Sequence, residues 1–327
     1  MDNFKLSIIN ILTTTACNAW DLPDVTGSPG VCWFCYRETR RIRTDENRLR
    51  RAMEIAAERF SAERFVMTGG EPTMSPWFGP AVRFAKELGC EVHVHTNGVH
   101  FDEIYPQHKD FVDLFVLSVD GPDADTADWE RGQGYFDRFV ANMDMLRADG
   151  RTVSLHSFIS PRNFAKVDEL AEMVHGYAER MVVDTWLLSQ YRDVNRGTPQ
   201  KREYYKFSPA EFETKLRSLG DKYGRFLVFT QPGDFMASEE LIANTPGRVL
   251  VFGQPTRADD DEYPFHLWLG VDGGVTVDAG GQGGKNPYAG NLVDDPFDEL
   301  LPRILDLSSV KREAYTRSLP IIPVDGR

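Results

Sequence analysis

The chain has 327 residues, 41% of them hydrophobic and 27% charged, a balance expected of a soluble globular protein with a sizeable core. Its formal net charge of −13 argues against a nucleic-acid surface, which would want a basic stripe. No apolar stretch approaches the length of a membrane span, and the start (Met1 to Lys5) leads into an apolar run that ends in threonines without a small-residue cleavage site.

Leu6 to Leu12 is a short β-rich run, read as the first strand. Cys17 follows it, then a fourteen-residue spacer from Asn18 to Val31, then Cys32-Trp33-Phe34-Cys35. The spacer holds Pro23, Gly27, Pro29 and Gly30 and no periodicity, so it reads as an irregular excursion. Thr44-Asp45 caps a helix whose Leu49, Ala52, Met53, Ala56 and Phe60 recur at helical spacing. Strands and helices then alternate. Strands are expected at Arg64 to Thr68, Glu91 to His95, Leu114 to Val119, Val153 to Ile159 and Met181 to Leu188. Helices fall between them, through Val82 to Leu88, Phe139 to Leu146 and Val167 to Tyr177. Such repeats predict an α/β fold with a parallel sheet, either open and doubly wound or a partial or complete barrel.

Around Gln200 the pattern changes. Ser208-Pro209-Ala210-Glu211 reads as a helix start, and strand-like runs follow at Arg225 to Thr230 and Arg248 to Phe252. Phe265 to Val271 and Val275 to Val277, joined by Asp272-Gly273-Gly274, read as a hairpin, and Phe297 to Leu307 as a closing helix. The expected organisation is a domain over 1–200 and a smaller α+β extension over 201–327 that covers the mouth of the first.

Four cysteines, three of them clustered, are a poor disulfide framework and in a reducing cytoplasm suggest a metal site. Two metal readings compete. Structural zinc wants a fourth protein ligand, for which Cys90, His93 and His95 are available, although Cys90 stands at the start of its strand, away from the cysteine loop. A four-iron cluster on three thiolates leaves one iron open to a cofactor. Buried core cysteines would gain little in a Pro/Gly-rich loop. Gly69-Gly70-Glu71-Pro72, Thr96-Asn97-Gly98 and Asp120-Gly121 all come directly after strands, the edge where α/β sheets carry ligand sites.

These residues resemble the radical S-adenosylmethionine (radical SAM) enzymes: three cysteines after strand one with an aromatic, Phe34, before the last, and a GGE-type turn, Gly69-Gly70-Glu71, after strand two. The resemblance covers roughly residues 5 to 195 and departs from the usual pattern in its first gap, fourteen residues in place of three, as in certain 7-carboxy-7-deazaguanine synthases. It implies a partial (β/α)6 barrel and a [4Fe–4S] cluster on Cys17, Cys32 and Cys35. It also implies S-adenosylmethionine on the open iron, reductive cleavage to a 5′-deoxyadenosyl radical, and a flavodoxin- or ferredoxin-type electron donor. Gly69, Gly70 and the Glu71 region would receive the cofactor's ammonium.

Alternation along the strands gives the lumen-facing set. Val92 and Val94 outward turn His93, His95 and Asn97 inward; Phe115, Leu117 and Val119 outward leave Ser118 and Asp120; Val153 and Leu155 outward leave Ser154, His156 and Phe158. On the sixth strand Val183, Thr185 and Leu187 are expected to face helices, with Trp186, Leu188, Gln190 and Arg192 facing the lumen. The resemblance marks Asn97, Ser118, His156 and Arg192 as cofactor contacts, with Phe34 and Leu188 near the adenine. Cys90 and Tyr191 are candidates for a hydrogen donor, a packing role being expected for Cys90.

The tail resembles the half-cap of enzymes related to the molybdenum-cofactor cyclase and peptide maturases, through Val271-Asp272-Gly273-Gly274 and Gly290-Asn291-Leu292. With no cysteine after Cys90 it holds no auxiliary cluster, and Tyr191, Arg192, Arg196, Tyr204, Tyr205 and Gly280 to Gly284 are free to line a substrate pocket. The first expectation is biosynthetic work on a small nucleoside-, sugar- or nucleotide-derived molecule. A peptide-modifying maturase comes second, a deazaguanine-type synthase third, and a zinc-stabilised binding protein is the non-enzymatic alternative.

Overall fold

A computed structural model describes residues 6, 8–21, 32, 34–35, 46–180, 183–190, 227–231, 248–251, 267–277 and 288–318, with single positions between 204 and 223. The strands run β1 (Ile8–Thr14), β2 (Arg64–Gly69), β3 (Glu91–Thr96), β4 (Leu114–Ser118), β5 (Val153–Ile159) and β6 (Val183–Gln190). β7 (Leu227–Gln231), β8 (Arg248–Val251), β9 (Leu267–Gly270), β10 (Gly274–Val277) and β11 (Tyr288–Asn291) follow. The first helices are α1 (Glu46–Arg59), α2 (Phe78–Glu87), α3 (Phe101–His108) and α4 (Ala124–Arg131). After them come α5 (Tyr135–Ala148), α6 (Pro161–Phe164) and α7 (Val167–Arg180), and the C-terminal helix spans Phe297–Ser318.

All eleven strands lie in one sheet, in the order β11-β10-β9-β1-β2-β3-β4-β5-β6-β7-β8. β1 to β8 pair in sequence and in parallel, so their carboxyl ends share one edge. Among the described residues β8 and β11 end the sheet, which is open as in a partial barrel. The expected boundary near residue 200 does not interrupt the sheet: β7 and β8 extend it past β6, while β9 pairs with β1 in parallel, Ile9 facing Leu267. The β9–β10 hairpin forms where Asp272-Gly273-Gly274 predicts it, with Gly273 at φ 82 and Val275 opposite Leu269. Arg48 of α1 clamps this hairpin, its Nε donating to the Asp272 carbonyl at 3.1 Å and its Nη2 to the Asp294 carboxylate at 2.5 Å.

The helix-facing side of the sheet is the main core. Leu49, Ala52, Met53 and Ala56 of α1, at the expected helical spacing, pack there with Ile9, Ile11, Phe65, Met67, Val92, Val94, Phe115, Leu117, Val153 and Leu155. The inward sets expected for β3, β4 and β5 follow from this burial. β6 corrects the reading. Val153 faces Val183 but Leu155 faces Trp186, so β6 carries one extra residue there, and the bulge reverses its faces. Trp186 and Leu188 consequently sit in the helix-side core, and the opposite face passes to Leu187 and Ser189. Ser208 to Ala210, Tyr191, Arg192, Arg196, Tyr205 and Gly280 to Gly284 lie outside the described residues.

Candidate active site

The three clustered cysteines meet on the lumen side. Cys17, Cys32 and Cys35 pack with Ala19, Phe34 and Phe158 in a small cluster separate from the main core. All are free thiols. Cys32 has a φ of 56°, a conformation that costs a residue with a side chain roughly 1 kcal/mol or more. Two backbone bonds hold it: its N–H donates to the Glu130 carbonyl at 2.9 Å, and its carbonyl accepts from the Cys35 N–H at 2.9 Å. Burial pushes the Cys32 thiol far up from its ordinary range, Cys35, Cys17 and Asp120 push the same way, and the Arg131 guanidinium opposes them. Only a thiolate-binding metal or a larger positive charge would keep such a sulfur ionised. Among the described residues no three His, Cys, Asp or Glu side chains converge on one metal ion. The three thiols pack together, and a four-iron cluster there would take each thiolate on its own iron.

The glycine turn is stitched to the chain that leads into Cys17. Gly70 N–H donates to the Thr14 carbonyl and Glu71 N–H to the Ala16 carbonyl, both at 2.7 Å. A Cβ on Gly69 would strike the Thr14 carbonyl, and one on Gly70 the Ala16 carbonyl; both obstacles are backbone. Gly69 also has a φ of 134°. The two glycines therefore let the β1 and β2 ends close to hydrogen-bonding distance, and those two N–H groups are spent there.

Glu71 is buried, and its carboxylate ties β2 to β3. One oxygen accepts from Thr73 N–H at 3.2 Å and from the Thr73 and Thr96 hydroxyls at 2.7 Å; the other accepts from Asn97 N–H at 2.7 Å. Burial pushes its pKa up, and these donors pull it back. Asn97 then reaches the cysteine loop: its Nδ2 donates to Cys17 Sγ at 3.5 Å and to Asn18 Oδ1 at 2.9 Å. Beside them, Asn18 Nδ2 is buried and has no partner among the described residues.

The β4–β5 side is ionic. Asp120, fully buried two residues past β4, pairs with Arg131 at the end of α4 and accepts from Phe158 N–H at 2.6 Å. The Arg131 guanidinium lies over the Phe34 ring, 4.9 Å from its centroid, and Phe34 stacks on Phe158 at 3.8 Å. The aromatic expected near an adenine is thus already packed against Phe158. His156 bonds Ser189 Oγ through Nε2 at 2.7 Å, and burial pulls its pKa down to about 3, so the ring is neutral. Ser118 holds the Tyr135 hydroxyl through its carbonyl, at 2.9 Å. Cys90 is buried at the other edge of the sheet, donating to the Ala62 carbonyl at 3.2 Å, as its strand-start position suggests. Tyr204 is exposed. Arg131, Glu130 and Ser189 are not legible as site residues in the sequence: the first two close a helix rather than a strand, and the β6 bulge hides Ser189.

Three thiols packed together against Phe34 and Phe158 and, among the described residues, an unpartnered buried amide on Asn18 fit a cluster with an open iron. The comparisons agree in class. Residues 24–174 match the model of the Radical SAM superfamily. Mycofactocin maturase MftC of Mycobacterium tuberculosis is 29% identical over 193 residues, 57% of this chain and 47% of that one. A probable GTP 3′,8-cyclase of Thermoplasma volcanium is 27% identical over 219 residues, 62% of this chain and 65% of that one. The chain thus spans about half the length of the maturase and about two thirds of the cyclase. The crystal structure of Streptococcus suis SuiB bound to S-adenosylmethionine superposes with a TM-score of 0.67 at 15% identity, over 94% of this chain and 68% of that one, a likeness of fold. The family match over residues 24–174 and these relatives support membership of the radical SAM superfamily, whose members use a [4Fe–4S] cluster and S-adenosylmethionine. No helix among the described residues is long and apolar enough to cross a membrane.

Proposed function

We propose that the chain is a biosynthetic radical SAM enzyme whose Cys17, Cys32 and Cys35 hold a [4Fe–4S] cluster with one iron open to S-adenosylmethionine. The observation that carries this reading is the meeting of the three thiols in one lumen-side pocket, beside a glycine turn stitched to the Cys17 loop. Cluster and cofactor together supply one-electron cleavage of a sulfonium and hydrogen-atom abstraction. The protein's own part is position and exclusion of water. Gly69 and Gly70 bring the β2 end against the Cys17 loop, and with Gly70 and Glu71 N–H groups spent on that stitch, a cofactor ammonium there would be received by carbonyl oxygens. Glu71 sets the β3 end rather than offering a free carboxylate. Ser118 and neutral His156 line the lumen for polar groups of the cofactor or substrate, while the Asn97 amide is committed to Val99, Asn18 and Cys17, and Phe34 with Phe158 closes one side. A flavodoxin- or ferredoxin-type donor would deliver the electron in a reducing cytoplasm.

For the substrate, a nucleoside-, sugar- or nucleotide-derived small molecule is the first reading, supported by the GTP 3′,8-cyclase likeness, which covers more of both chains than the maturase likeness does. A peptide is the second, favoured by the higher identity to the maturase. Reconstituted protein, reduced anaerobically with S-adenosylmethionine, is to be offered purine nucleotides and short peptides in parallel. Stimulated 5′-deoxyadenosine release with a mass-shifted nucleotide supports the first reading; stimulation by peptides alone replaces it with the second. Absence of any S-adenosylmethionine cleavage by a fully iron-loaded protein would falsify the enzymatic proposal.

A further inference from the structure

The amide of Asn97 has no freedom in how it is oriented. Its Oδ1 accepts from Val99 N–H at 2.9 Å, which fixes the oxygen and so points Nδ2 the other way. The two hydrogens on Nδ2 have two acceptors, Asn18 Oδ1 at 2.9 Å and Cys17 Sγ at 3.5 Å. The backbone of Asn97 is pinned separately, by its N–H on the Glu71 carboxylate at 2.7 Å, and the next residue Gly98 is held through its carbonyl by Asn142 Nδ2 at 2.8 Å. Glu71 is in turn fixed by Thr73 and Thr96. A carboxylate at the end of the neighbouring strand therefore sets, through one backbone bond, where an amide N–H from β3 meets the Cys17 sulfur.

We infer that Asn97 is a positioning residue that tunes the electron affinity of the cluster through an N–H···S bond to Cys17. The inference rests on the reading of Cys17 as a cluster ligand. A hydrogen bond to a ligating sulfur stabilises the more electron-rich, reduced cluster, and bonds of this kind are among the terms that set iron–sulfur potentials. Asn97 thus does not contact the reacting atoms; it acts through Cys17, and the Glu71 knot acts through Asn97.

The test is a redox titration of the reconstituted protein followed by electron paramagnetic resonance, in wild type, Asn97→Asp and Asn97→Leu. Aspartate keeps an oxygen for Val99 N–H and removes the donor to sulfur; leucine keeps the size and removes both polar ends. Neither touches the backbone bond to Glu71. The expected result is about a tenfold smaller ratio of reduced to oxidised cluster at a fixed poise, a one-electron shift of about 59 mV to lower potential, with aspartate shifted further than leucine. An unchanged potential in both variants overturns the role of Asn97 while leaving the cluster reading standing. Failure of wild type itself to assemble a four-iron cluster overturns the parent reading and this inference together. If both variants assemble no cluster, denaturation of the iron-free proteins decides. An unchanged midpoint assigns the loss to the Cys17 contact and supports the inference, and a midpoint lowered in both assigns it to folding and overturns it.

Discussion

The two walls of the cysteine pocket are built from different physics. On the β1–β3 side a buried carboxylate, Glu71, is met by neutral donors from Thr73, Thr96 and Asn97. On the β4–β5 side a buried carboxylate, Asp120, is met by a cation, Arg131, that also stands against Cys32 and Phe34. Neutral dipoles fix positions and add little field of their own, whereas the buried guanidinium places positive charge next to a thiol that burial otherwise keeps protonated. One wall sets where Cys17 sits; the other sets what charge Cys32 can carry.

Substitutions sharpen or break that contrast. Gly70→Ala should have the largest effect, because its Cβ would overlap the Ala16 carbonyl and neither partner is a flexible side chain. A loss of roughly 3 kcal/mol or more is expected, read as the denaturant midpoint, together with failure to retain iron. Arg131→Met leaves Asp120 buried without its cation and should cost roughly 3–5 kcal/mol, much of it recovered in the double variant Asp120→Asn/Arg131→Met. If the single and double variants are equally unstable, the ion pair is not what organises that wall.

Glu71→Gln is the corresponding test of the neutral wall. The amide nitrogen must face either the Asn97 N–H or the three donors on the other oxygen, so one N–H is left unmet, at roughly 1–3 kcal/mol. The smallest effect is expected at His156, whose folded pKa of about 3 lies below its ordinary value of 6.5. The unfolded chain then takes up a proton that the folded one refuses, so this residue lowers stability as pH falls from about 6.5 towards 3. His156→Gln should flatten that part of the stability profile and leave the region above pH 7 unaltered; equal slopes for both proteins would place the ring in a more solvated setting than the structure shows.

Local punctuation makes much of the site legible in the amino-acid sequence. Cys17, Cys32 and Cys35, the glycine turn and Asn97 stand next to Pro, Gly and Asn signals at strand ends, and the parallel sheet brings those ends to one edge. The face of β6 is not legible in the same way, because alternation counts residues and a bulge adds one without a sequence mark. Nor is the pairing of β9 with β1, a contact across most of the chain that no local pattern encodes. Arg131 escapes because a charged residue closing a helix ordinarily answers the helix dipole, and only the β4 end beneath it makes it a partner for Asp120.

The most direct measurement is the iron and sulfide content and 5′-deoxyadenosine release of Cys17→Ala, Cys32→Ala and Cys35→Ala, each set against Cys90→Ala after anaerobic reconstitution. The account predicts four irons and cofactor cleavage in wild type and Cys90→Ala, and loss of both in each of the other three. Retention of cleavage in any of those three, or its loss in Cys90→Ala alone, would contradict it.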